Sequence, residues 1–174
     1  MTMKNIWKLM MVVGFVLTIS VGINSINAQT SSANSYTTPK SIRGHWYGYS
    51  KYNKHYSVMV IHPHSVAFYN QSLSKRISHY DLYSPHMSGL HKLKVNIAKH
   101  RSHGSNNVYT LNQAKYDYQS LGMYWSSHKT LFGQRHHVLK SYSGMGAFYV
   151  FFHHKIKHDY SYTHIKNYEY FIGR

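Results

Sequence analysis

From Ser41 onward this chain is a succession of short apolar or alternating runs separated by turn residues, with almost no helical periodicity. The clearest run is His91-Lys92-Leu93-Lys94-Val95-Asn96-Ile97. Leu93, Val95 and Ile97 fall on one face and Lys92, Lys94 and Asn96 on the other, the period of a half-buried strand. Residues 57–61 and 67–69 flank Pro63 and read as two strands around a turn, and residues 107–111 as another. Residues 123–125 and 137–140 bracket a turn near Gly133. Residues 147–152 are apolar on both faces and are expected to form the central core strand. Residues 168–172 are expected to close the chain as a strand, while 72–88 admits a short helix. The chain holds 18 tyrosines, a residue type that suits pleated sheets better than helices. The predicted fold is all-β, a single small antiparallel barrel, because closure removes the exposed edges of an open sheet.

The first residues have another character. Lys4 and Lys8 precede an uncharged apolar run from Leu9 to Ile23, and Ala28 ends the polar stretch after it. That order predicts a cleavable secretory signal over residues 1–28. Spanning a bilayer takes about 20 apolar residues, and this shorter run also contains Gly14 and Gly22. Residues 29–40, rich in Ser, Thr and Asn, read as a flexible polar leader, and residues 41–174 as the barrel domain. The protein is thus expected to be secreted, extracellular or wall-associated, with no integral span after cleavage. The sequence has no cysteine, which excludes disulfides, cysteine catalysis and a lipid-modified cysteine.

Charge narrows the partners. The chain has 20 Lys and Arg against 4 Asp and Glu, a formal charge of +16, which the loss of Lys4 and Lys8 lowers to +14. Such a field favours anionic wall polymers, acidic glycans or anionic lipid, and nucleic acid only non-specifically. Three basic stretches carry the expectation. Lys92, Lys94, Lys99 and Arg101 belong to the first, Lys129, Arg135 and Lys140 to the second, and Lys155 and Lys157 to the third. Tyr109, Tyr116, Tyr118, Tyr160 and Tyr162, interleaved among them, are candidates to stack on sugars or bases. The 16 histidines gain charge as the pH falls below neutral. His136, His137, His153, His154 and His158 are therefore expected to tighten binding in acid.

Catalysis finds little support. A glycosidase needs two positioned carboxylates, and any pair must come from Asp81, Asp117, Asp159 and Glu169, none in a recognisable motif. No serine-nucleophile signature is present. His62 and His64 could lie together, but His136-His137 and His153-His154 are strand neighbours that point to opposite faces. The expectation is a non-enzyme with no cofactor and no specific metal site.

Residues 38–49, TPKSIRGHWYGY, carry a pattern, TPK-x-x-RG-x-WY. It resembles a group of small, basic, secreted or surface-associated proteins of lactobacilli. Residues 138–143 and 170–174 look similar too. The resemblance implies a single β-rich domain and no particular activity. Gly44-x-Trp46 also resembles the G-x-W of lipocalin-type barrels, with Asp117-Tyr118 a loose second motif. That resemblance implies a tryptophan plugging the closed end and a glycine turning the chain beside it. Two functions follow: surface association with anionic polymers, or carriage of a small apolar ligand. A barrel filled by Trp46, Phe148 and Phe151 favours the first, and a continuous internal cavity the second.

Overall fold

The computed structural model describes residues 34–96, 106–113 and 120–174. The expected signal (1–28), the start of the leader, Ile97, Lys99, Arg101, Tyr116, Asp117 and Tyr118 lie outside the described residues. Eleven strands are present among those described: β1 (Asn34–Ser35), β2 (Gly44–Ser50), β3 (His55–His62), β4 (Ser65–Ser72), β5 (Ile77–Tyr83), β6 (Leu93–Asn96), β7 (Tyr109–Gln113), β8 (Ser120–Leu131), β9 (Gln134–Tyr142), β10 (Ala147–Phe152) and β11 (Tyr162–Thr163).

Strands β2 to β10 form a nearly closed antiparallel barrel of nine strands, in the order β6-β7-β8-β9-β10-β2-β3-β4-β5. An odd number of alternating strands leaves one junction where neighbours run the same way. It falls between β5 and β6, where Ser84 bridges Lys92 in parallel and accepts the Leu93 N–H at 3.1 Å.

Alternation sorts the side chains. Trp46, Met59, Ile61, Val66, Tyr83, Leu93, Val95, Tyr109, Leu111, Tyr124, Leu139 and Phe151 form one buried cluster inside the barrel. The strand expected at 147–152 is β10, flanked by β9 and β2, and its two faces are buried differently. Phe151 points inward, whereas Phe148 packs outside with Val108, Trp125 and Ile172. Phe148 is therefore not one of the residues that fill the interior. Its cover is the C-terminal segment, where Tyr162 stacks on Phe148 and the Trp125 Nε1–H donates to the Arg174 carbonyl at 2.9 Å. Residues 168–171 form a 3₁₀ turn within this cover, not the expected strand. Residues 77–83 are strand β5, so the 72–88 segment extends the sheet.

The N-terminal segment closes one end. Pro39 precedes a 3₁₀ turn at Lys40–Ile42. Thr38, fully buried, donates through its N–H to the Pro63 carbonyl and through its hydroxyl to that of His62, both on the β3–β4 turn. The Arg43 Nε–H returns to the Thr38 carbonyl at 3.0 Å. With β1 paired to β6, ordered packing begins upstream of residue 41.

Candidate functional site: a barrel cavity and a cationic outer surface

At the closed end, Trp46 is completely buried and its Nε1–H donates to the Ile42 carbonyl at 2.8 Å. The His153 ring stacks on it at 3.7 Å between centroids. Gly44 has φ +134°, and a Cβ there would lie 2.9 Å from the His153 ring. At Gly44 the missing side chain leaves room for the His153 ring that stacks on Trp46.

The other half of the interior is open. A cavity of about 680 Å³ is lined by Gly48, Ser50, His55, Ser57, Met59, Phe68, Asn70, His79, Asp81, Tyr124, Ser141, Ser143, Tyr149 and Phe151, with residues of the adjoining rim. Register explains the set. Gly48 faces Ser57, which faces Asn70, while Met59 faces Phe68, which faces Asp81. Across the barrel, Tyr124 faces Ser141, which faces Tyr149. Met59 and Phe151, buried in the core, with half-buried Phe68 packed against them, make an apolar floor; hydroxyls, an amide, imidazoles and the Asp81 carboxylate line the walls above it. Burial pushes the Tyr124 phenol far above its ordinary range, and its hydroxyl donates to the Leu121 carbonyl. Asp159, at the rim, accepts the N–H groups of Lys51 at 3.1 Å and Ser161 at 3.0 Å. Burial alone would raise its carboxyl pKa, but hydrogen bonds from the Ser161 hydroxyl and these two amides, with His158 nearby, hold it below the usual value.

The expected cationic residues are partly brought together. Lys129 pairs with His136 across β8 and β9. His136 lies 5.3 Å from His154, and the Lys129 amine sits over the Tyr160 ring. The second and third basic stretches therefore meet on one outer face. Arg135 and Lys157 are exposed, and His158 packs against Tyr160. The Lys155 amine lies over Tyr47 and Tyr56. Lys140 has a structural partner: it donates to the Arg174 carbonyl at 2.7 Å, and burial, with Lys129 nearby, lowers its pKa. Lys94 lies on β6, and Lys92 just before it, bridged to Ser84. Tyr109 and Tyr162 are not stacking platforms, since Tyr109 is buried inside the barrel and Tyr162 covers Phe148.

His137 points away from His136, as neighbours on β9 do, and His153 and His154, just past the end of β10, take up opposite sides as well. The His153 Nε2 lies 3.2 Å from the His137 Nδ1, the His137 Nε2 2.7 Å from the Ser126 hydroxyl, and the His153 Nδ1 3.2 Å from the His45 carbonyl. Burial, then His153 and His128, lowers the His137 pKa. His62 and His64 find different neighbours, His45 and the Tyr36 carbonyl. Among the described residues, no group of three or more His, Cys, Asp or Glu is placed to hold a metal ion, and no helix is long and apolar enough to cross a membrane. Sequence reasoning missed the cavity walls, Ser126 and His128. No protein-family model, curated protein or solved structure matches this chain.

Proposed function

We propose that this protein is a non-enzymatic binding protein that takes a small amphipathic ligand into the open half of its barrel. The cavity carries the reading: about 680 Å³ lies within the range of small-molecule sites. Its lining refines the ligand. An apolar part fits the floor at Met59, Phe68 and Phe151, and a hydrogen-bonding head fits the walls at Ser57, Asn70, Asp81 and Ser141. A purely apolar ligand would desolvate those wall groups without replacing their bonds to water. The Asp159 oxygens already hold the Lys51 and Ser161 amides, which favours binding over two-carboxylate hydrolysis. The Trp46 plug and Gly44 support a lipocalin-type plan. The signal reading of residues 1–28 supports a role outside the cytoplasm.

The test is a fluorescence titration with the neutral probe N-phenyl-naphthylamine. Wild type binds one equivalent, and Ser57→Phe, which places a ring in the cavity, abolishes binding while the fold persists. Equal binding by the variant contradicts the reading.

A second reading, electrostatic association with anionic wall polymers or acidic glycans, is favoured by the contact of His136 with His154, which joins two basic stretches. It expects retention on an anionic polymer that strengthens from about pH 7.5 to about pH 5.5 at constant ionic strength. Equal retention at both contradicts it.

A further inference from the structure

Strands β8 and β9 stay paired to Leu131 and Gln134, whereas β10 pairs with β9 only as far as Phe152 and Val138. Residues 128–137 therefore form a two-stranded ribbon beyond the third strand. Its sequence, HKTLFGQRHH, has two permanent cations, Lys129 and Arg135, three histidines and no acid.

The tip is unusual. Phe132 and Gly133 form a two-residue turn with φ +49° and +78°, both left-handed. Such turns favour Asn-Gly, and a bulky residue at the first position is strained. The Phe132 side chain is 99% exposed. Neither packing within the chain nor turn preference accounts for an aromatic ring there. A partner that buries the ring does.

We propose that the ribbon docks the protein on an anionic lipid bilayer, with Phe132 inserted at the boundary between headgroups and acyl chains. The order along the ribbon fits this partner: an apolar ring leads, and Lys129 and Arg135 follow at the level of the headgroup phosphates. A dissolved anionic polymer would use the cations and leave the ring in water. The proposal shares its cations with the second reading above and owes nothing to the cavity. Met145 provides an internal comparison. It is 95% exposed with φ +51°, but lies on the β9–β10 turn, at the other end of β9, between glycines and with no cation beside it.

The experiment is co-sedimentation of the full chain with vesicles of phosphatidylcholine, with and without phosphatidylglycerol. Wild type binds the anionic vesicles and binds the neutral ones far less. Phe132→Asn restores Asn-Gly, so it melts at or above the wild-type temperature, yet it lowers partitioning by about tenfold or more, as expected for losing a buried aromatic ring. Arg135→Gln weakens binding to anionic vesicles alone. Met145→Asn binds as wild type does. Retention of Phe132→Asn on an anionic polymer stays at the wild-type level, which separates this proposal from polymer association. Wild-type vesicle binding by Phe132→Asn, or an equal loss in Met145→Asn, overturns the proposal.

Discussion

The His153 Nε2 lies 3.2 Å from the His137 Nδ1, directly beside the Trp46 plug. The contact assigns a direction to the protons. His153 must carry hydrogen on Nδ1 to reach the His45 carbonyl, so its neutral ring accepts at Nε2 from the His137 Nδ1–H, and the Ser126 hydroxyl donates to the His137 Nε2. One added proton fits on His137 if the serine hydroxyl turns to accept. A second, on His153, sets two N–H groups against each other.

The pH dependence of stability follows. The His137 pKa in the folded protein lies below its ordinary 6.5, chiefly through burial. The unfolded chain therefore takes up this proton first. The contribution to stability is complete above that ordinary value and is lost as the pH falls through it towards the folded value. The melting temperature is expected to drop between about pH 7 and about pH 5, and less steeply in His137→Gln. Equal slopes would contradict the assignment.

Gly44→Ala tests the closed end. The substitution places a methyl 2.9 Å from the His153 ring and forces φ +134° on an L side chain. It is expected to cost more than about 1 kcal/mol in urea unfolding. A midpoint unchanged from wild type would remove the glycine from the plug's design.

Ile172→Ala tests the external cover. Ile172 is buried against Val108, Trp125 and Phe148, and its truncation is expected to cost about 2–5 kcal/mol, read from the urea midpoint. A cost near zero would mean that the C-terminal segment does not shield the outer aromatics.

Within residues 38–47 the Arg43 bond to Thr38 and the Trp46 bond to Ile42 span five and four residues, a range over which sequence can be read. Thr38 and Arg43 tie down the 3₁₀ turn, Gly44 makes room and Trp46 plugs. Most strands were legible for the same reason, since a period of two is a short-range signal. The facing of some was not. In β3 the apolar Val58 and Val60 lie on the outside beneath Tyr47, Tyr49 and Tyr69, and the polar Ser57 looks inward. Alternation assumes that polar side chains face solvent, and an open cavity inverts that rule. The residues of the cavity wall come from strands far apart in sequence, so no local spacing announces them. Nor does periodicity reveal that a tail will cross the outside of β8–β10. The basic stretches were visible one by one; their meeting required the register of β8 with β9 and the return of residues 153–160 beside them.

The central claim, a ligand in the open half of the barrel, is tested most directly by amide chemical-shift mapping during titration with N-phenyl-naphthylamine. The expected result is a single set of shifts at Ser57, Phe68, Asn70 and Ser141, saturating together at one equivalent of probe. Shifts confined to the outer face around Tyr47 and Leu82, or none at all, would contradict it.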